Sequence, residues 1–326
     1  MDLSIIIVSW NVSTLLAKCL DSILESGVQI VAPNGETYGQ GLRTQVIVVD
    51  SASDDDSVEM IRTKYSWVYL FAQSENVGFV RGNNIGFEHA QGRYIMLLNP
   101  DTEVQVGALG RLIEVLASDP KIGIVGPHTL NSDGTHQSTR RRFLTLGTAI
   151  FESTWLEVFA PKSLLEKFHV QDMPNEGTYA VDWVQGSALM AKREVYEQIG
   201  GLDPRYIMYA EEMDWCKRAA IVGWKTFYVG DAFIIHHGGQ SSGQVRARSH
   251  IHFQHSKMRY MKKFHGWWAA CLLWLVLVLS YSWQLVLEGA KWLVGHKRSM
   301  RRERIQTYLL VLWSFFSGER VATRKV

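Results

Sequence analysis

Acidic residues in this chain gather where apolar runs stop. The run 94–98 delivers Asn99, Asp101 and Glu103 into one loop. Hard oxygen ligands of that kind suit Mg²⁺ or Mn²⁺, which can bridge a protein to a diphosphate; an ordinary Pro-Asp turn is the competing reading. The run 45–49 ends at Asp50, and a carboxylate at a strand end can accept hydrogen bonds from a ribose or a base. Asp54, Asp55 and Asp56 read instead as a solvated turn and helix start, where aspartate is favoured anyway. At 208–218, MYAEEMDWCKR, the residues Glu211, Glu212 and Asp214 crowd one helix start. Acidic first turns are common, yet crowded carboxylates raise one another's pKa and leave one poised as a base. His236 opens HHGGQSSG at the end of a strand-like run and is a candidate ligand for metal or phosphate. The segment ENVGFVRGNNIG, 75–86, offers glycines for close backbone approach and a helix start for phosphate. It has neither the lysine of a P-loop nor the dinucleotide spacing, and a tight turn before a helix explains it equally well.

The elements that must position these residues alternate. Apolar, β-branched runs at 3–10, 45–49, 68–71, 94–98 and 122–125 read as strands, and 13–26, 58–65, 79–90 and 106–117 as helices. This predicts an α/β fold with a Rossmann-like, mostly parallel sheet and helices on both faces. Ligands of such sheets bind at the carboxyl ends of the strands, where Asp50 and Asp101 fall. Residues 27–43, rich in Gly, Pro, Asn and Thr, predict an extended loop or hairpin insertion. The second half is less regular, with strands at 184–191, 225–229 and 232–236, helices at 194–199 and 211–222, and a mixed segment at 152–168.

The 326 residues, 47% hydrophobic and 20% charged, describe a globular chain rather than a disordered one. Its three cysteines, Cys19, Cys216 and Cys271, are widely separated, which disfavours a disulfide framework or cysteine zinc site and points to a reducing compartment. The start, MDLSIIIVSWN, lacks a basic n-region and reads as a buried strand rather than a secretory signal. The net charge of +2 hides a split: residues 257–326 hold thirteen Lys and Arg against three Glu, a charge of +10, leaving −8 for the remainder. Six of the twelve tryptophans lie in that same stretch. Basic charge and Trp beside long apolar runs predict a lipid interface; a nucleic-acid tail would be less apolar. Residues 267–287 are long enough to span a bilayer, since about 20 apolar residues suffice. Ser280, Ser282 and Gln284 interrupt the run, so a span, a re-entrant pair and interfacial helices all remain open. A soluble oligomerisation helix is the alternative to all three.

Taken in order, these motifs resemble the family 2 glycosyltransferases, which have the GT-A fold, and among them bacterial rhamnosyltransferase-like polysaccharide enzymes. The resemblance covers about residues 3–266, and it is the order of five modest motifs that makes it specific. It implies a glycosyltransferase domain at 1–265 followed by a membrane-associated helical segment at 266–326. Asp50 would recognise the nucleoside, Ser9 and Asn11 would bind the nucleotide donor, and Asn76, Gly78 and Asn84 would lie beside it. Asp101 matches the last carboxylate of a metal-binding D-x-D whose first position here is Asn99. Trp183 and Gly186 match a W-x-x-G segment near the acceptor. Glu211 and Glu212 match a catalytic E-D pair, with Glu212 in the base position and the choice between them open, and Asp214 matches the second acid. His236, in the pattern running over 232–241, matches a metal-binding His, and Lys263 a basic residue that follows the site. The implied reaction is an inverting, Mg²⁺- or Mn²⁺-dependent hexosyl transfer from a nucleotide-diphosphate sugar to a glycan or polyprenyl-diphosphate-linked acceptor. It would run at the cytoplasmic face of the inner membrane, with homo-oligomerisation left open and no nucleic-acid partner. Two rivals are weighed. A sugar nucleotidyltransferase would carry a Gly-rich basic loop after the first strand, where this chain reads SWNVSTLL. An inactive membrane-bound scaffold would not need Asp101, the Glu211–Asp214 cluster and His236.

Overall fold

The computed structural model describes residues 1–152, 154–238, 246–295 and 297–319. The chain divides into two compact units. The first comprises Met1–Phe143, His169–Arg205 and Glu211–Ser241, and the second Leu144–Phe168, Tyr206–Ala210 and Ser242–Val326.

The first unit opens with β1 (Leu3–Ser9), α1 (Ser13–Glu25), the hairpin β2 (Val28–Val31) and β3 (Thr37–Tyr38), then β4 (Leu42–Asp50), α2 (Ser57–Lys64), β5 (Tyr69–Ala72) and α3 (Gly78–His89). It continues with β6 (Tyr94–Leu98), β7 (Thr102–Val104), α4 (Ala108–Ser118), β8 (Ile122–Leu130), β9 (His136–Gln137) and β10 (Arg140–Arg141). The hairpin is the insertion expected at 27–43. β1 is buried at every position, as a β-branched run covered on both faces must be. α1 and α4 bury Leu16, Leu20 and Ile23, and Leu109, Leu112 and Leu116, at helical spacing. These side chains join Ile5, Ile7, Val46, Val48 and Met96 in one core.

β4, β1 and β6 run parallel and adjacent, with Ser9 level with Asp50 and Ile6 level with Leu97. Ser9, Asp50 and Asn99 therefore emerge along one carboxyl edge. The later strands depart from the expected parallel order. After α5 (Leu146–Phe151) and α6 (Lys162–Phe168), both in the second unit, come β11 (Thr178–Val181), β12 (Trp183–Val184), β13 (Ala188–Lys192), α7 (Arg193–Ile199), α8 (Glu211–Ile221) and β14 (Lys225–His236). β13 lies between β6 and β8, antiparallel to both. β14 is parallel to β8 but antiparallel to β7 and β11. The sheet is mixed, which corrects the mostly parallel expectation: a fully buried apolar strand reads alike in either direction. The inversion of β13 brings the residues before it, Gly186 and Ser187, back to the edge where β6 ends.

α3 packs on β1 through glycines. A Cβ at Gly86 would lie 2.2 Å from Ile6 Cγ2, and one at Gly82 2.7 Å from Val8 Cγ1. Those two glycines of the 75–86 segment are thus fixed by helix–strand packing.

The second unit is helical, with α9 (Arg246–His265), α10 (Trp267–Leu293) and α11 (Arg298–Ser317) packed on one another. Lys257 of α9 is buried and donates to the carbonyls of Ala149 and Glu152 at 3.2 and 2.7 Å.

Candidate active site

Three loops of the first unit meet at the carboxyl edge of the sheet. The Asn99 N–H, at the end of β6, donates to the Ser187 carbonyl at 2.9 Å. One residue back, the Gly186 N–H approaches Glu212 Oε1 at 3.4 Å. The loop carrying Asn99 and Asp101 is thereby linked through 186–187 to the first turn of α8. His236 closes the group from the end of β14: its Nε2 lies 3.2 Å from Asp101 Oδ1 and 3.4 Å from Asn99 Nδ2.

Glu211 is buried, Glu212 is half-buried, and Oε2 of each has no hydrogen-bond partner among the described residues. Burial, and then the neighbouring Glu212 charge, pushes the Glu211 carboxyl well above its usual range. Burial also raises Glu212, while the backbone N–H groups of Gly186 and Met213 oppose the rise. The two residues before α8, Tyr209 and Ala210, both have positive φ, 68° and 62°. Such backbone is sparsely populated for residues with a Cβ, and it persists where surrounding structure enforces it.

Asp214 is fully buried and bonds Arg218 Nε at 2.7 Å, while the same guanidinium holds the carbonyls of Ile199 and Gly201 at 2.6 and 2.7 Å. It ties α8 to the preceding loop. Asn84 does similar work: its amide donates to the Leu202 carbonyl and accepts from the Leu202 N–H, both at 2.8 Å.

Asp50 is also buried, and its two oxygens accept from the Ser53 N–H at 2.9 Å and the Ser53 hydroxyl at 2.6 Å. Ser53 Oγ in turn accepts from the Asn11 N–H at 2.9 Å, and Asn11 Oδ1 from the Asp54 N–H at 2.7 Å. The loops after β1 and β4 are thus braced together. Beside them Ser9 Oγ is buried with no partner among the described residues. Asn76 Oδ1 accepts from Ser51 Oγ at 3.0 Å and from the Gly78 N–H at 2.9 Å, fixing the turn into α3. Gly78 takes this turn without strain, at a φ of 72° that glycine adopts readily. Trp183 is nearly buried on β12, its Nε1 donating to the Arg142 carbonyl at 2.9 Å. Lys263 lies on α9, in the second unit. Ser241 falls outside the described residues. Glu103 does not join Asp101; it pairs with His237 Nε2 at 2.8 Å.

Sequence reasoning missed Gln137. Its Nε2 donates to Asn131 Oδ1 at 2.9 Å, so its Oε1 accepts from His236 Nδ1 at 2.7 Å. With the ring proton on Nδ1, His236 turns Nε2 as an acceptor toward the Asn99 amide and the Asp101 carboxylate. A neutral imidazole nitrogen beside a carboxylate is a ligand pair that could hold a divalent cation. A histidine whose far nitrogen is held by an outer partner is the usual form of a metal ligand. Among the described residues no third His, Cys, Asp or Glu joins this pair. That suits Mg²⁺ or Mn²⁺, which commonly take one or two protein ligands and complete their shell with phosphate and water. Nothing in the sequence around 137 flags a ligand-orienting amide; only the pairing of β9 with β8 brings it to His236.

Comparisons with known proteins give the family and the fold. N-acetylglucosaminyl-diphospho-decaprenol L-rhamnosyltransferase of Mycobacterium tuberculosis is 27% identical over 285 residues, 82% of this chain and 88% of that protein. Rhamnosyltransferase WbbL of Escherichia coli is 23% identical over 197 residues, 57% of this chain and 70% of that protein. Among solved structures, the mannosyltransferase of Pyrobaculum calidifontis, in complex with GDP-Man and Mn²⁺, superposes with a TM-score of 0.52 at 18% identity, covering 98% of this chain and 87% of that one. That likeness fixes the fold as GT-A-like α/β. A family model described as glycosyl transferase family 2 matches residues 4–199. That match spans more than half of the sequence, and the chain belongs to the family 2 glycosyltransferases.

Proposed function

We propose that the protein is an inverting, metal-dependent transferase that moves a hexose, rhamnose in the first instance, from a nucleotide-diphosphate sugar to a polyprenyl-diphosphate-linked glycan at the cytoplasmic face of a membrane. The observation that carries this is the link from Asn99 through Ser187 and Gly186 to Glu212, which ties a half-buried carboxylate to the loop that carries Asp101. The named substrate of the Mycobacterium relative supports a lipid-diphosphate acceptor, and the ligands of the Pyrobaculum structure support a nucleotide sugar and a divalent cation.

The braced turns around Asn11, Asp50 and Asn76 shape the nucleoside end of the donor cleft, and Ser9 Oγ is free to reach it. Glu212, which matches the base position of the family pattern and whose Oε1 lies 3.4 Å from the Gly186 nitrogen, is the base of the pair. It takes the proton from an acceptor hydroxyl, whose oxygen attacks the anomeric carbon opposite the departing diphosphate. A cation held by Asp101 and His236 would neutralise charge on that diphosphate. Asp214 and Asn84 position α8 and the 200–202 loop without touching substrate.

The test is transfer from nucleotide-diphosphate rhamnose to N-acetylglucosaminyl-diphospho-polyprenol by the purified full chain. Chelation should abolish transfer, Mn²⁺ or Mg²⁺ should restore it, and NMR should show the new linkage with inverted anomeric configuration. Chelator-insensitive transfer or a retained configuration contradicts the reading.

A further inference from the structure

α10 has two apolar faces and only one of them is covered. Leu273, Leu277 and Tyr281 are buried, together with Glu288, where α9 and α11 pack. On the opposite side Trp268, Leu272, Leu275, Leu279, Trp283 and Val286 are exposed, Trp268 to 79% and Leu279 to 61%. They are spaced by three or four residues and form one stripe up the helix, about 27 Å long at 1.5 Å per residue. The exposed face of α11 adds Leu309, Trp313 and Phe316. Apolar surface on this scale marks an interaction site.

The helix is long and apolar enough to cross a membrane, with 27 residues and a mean hydropathy of 2.0 in its most apolar window. Its neighbours argue against a crossing. At its midpoint the Tyr281 hydroxyl accepts from Gln254 Nε2 at 3.1 Å and bonds His250, both on α9. His255 of α9 bonds Ser314 of α11 at 3.0 Å. Further along, Glu288 forms a buried pair with Arg301 at 2.6 Å. A crossing α10 would carry the polar middle of α9 into hydrocarbon, which membrane segments avoid.

The margins of the stripe are basic. Where α10 ends, a concavity of about 520 Å³ is lined by Trp292, Arg298, Ser299, Arg302, Ile305 and Gln306. The Arg298 guanidinium sits over the Trp292 ring at 5.6 Å. Lys291 and Lys297 are exposed beside it, and Lys262 is exposed at the other end of the helix. Basic groups and tryptophans at the margins of an apolar stripe match a bilayer with anionic headgroups.

We propose that α10 and α11 lie in the plane of an anionic bilayer, with the α10 stripe among the acyl chains and the Arg298–Arg302 concavity on lipid phosphates. This monotopic placement deepens, and rests on, the reading of the chain as a transferase for a lipid-linked acceptor.

The full chain is floated with phosphatidylcholine vesicles with and without phosphatidylglycerol. Binding should be at least about tenfold stronger with the anionic lipid. Leu275→Glu with Leu279→Glu should abolish it while circular dichroism is unchanged, and Arg298→Ala with Arg302→Ala should reduce it to the phosphatidylcholine level. Lys262→Cys and Ser299→Cys, each in a Cys271→Ser background, flank α10. In native membrane vesicles an impermeant maleimide should modify both from the same side. Modification from opposite sides overturns the in-plane placement. Undiminished flotation of the double Glu variant overturns the stripe as the lipid contact, and a dimer in vesicle-free buffer that this variant dissociates replaces lipid with a second copy. Transfer to a water-soluble short-chain acceptor is assayed in parallel: its absence from wild-type protein with flotation intact strikes the transferase reading and leaves the docking standing.

Discussion

Glu211 and Glu212 are chemically identical neighbours, both raised by their surroundings. Burial raises each carboxyl, the Glu212 charge adds to the rise at Glu211, and backbone N–H groups oppose it at both. The folded Glu211 carboxyl lies well above the ordinary 4.5 of an unfolded chain. The native state therefore keeps a proton that the unfolded state releases, and the associated stability is full at low pH and lost as pH rises through the folded value. Glu211→Gln should remove that loss, so the gap in Tm between variant and wild type should widen in the variant's favour from acid to alkaline pH; parallel curves would contradict it. The sequence displayed the acidic cluster but could not rank its members, because ranking depends on what each side chain meets. Asp214 reads like its neighbours until Arg218 is seen on it. Gln137 gave no signal at all. Gln137→Leu should weaken Mn²⁺ binding about 10–100-fold by calorimetry, with the fold intact; unchanged affinity would show that His236 needs no orienting partner.

At the level of elements, the first half was legible because β-branched runs and helical spacing alternate cleanly from Leu3 to Val125. The direction of β13 was not, since a strand buried on both faces carries no mark of its orientation. That direction decides the site, for it returns Gly186 and Ser187 to the end of β6. The glycines of α3 show the same limit: the sequence offered close approach to phosphate, and the structure gives Gly82 and Gly86 close approach to β1. Gly86→Ala should cost about 1–3 kcal/mol by urea unfolding, as overpacking does. Gly110→Ala, in the first turn of α4, meets nothing within 4 Å and should instead gain up to about 0.5 kcal/mol, short of the helix-interior difference between alanine and glycine. Equal effects at the two positions would contradict the packing account.

For the whole molecule, the split of −8 and +10 along the sequence corresponds to two kinds of surface. The acidic part holds the proposed active site, and the basic part holds helices whose apolar stripe is exposed. The apolar run of α10 was plain in the sequence. That one side of it is packed against polar α9 was not, because that contact is set by residues some thirty positions apart. The mixed segment at 152–168 likewise gave no hint that it packs with the C-terminal helices in one unit. What joins the parts into an enzyme is the claim that Glu212 acts as the base in a cleft shared with Asp101 and His236. The direct measurement is single-turnover sugar transfer by Glu212→Gln alongside calorimetric binding of the donor. A loss of about 10²–10⁴-fold in rate, with donor affinity within a few fold of wild type, is the predicted result; turnover within a few fold of wild type would contradict it.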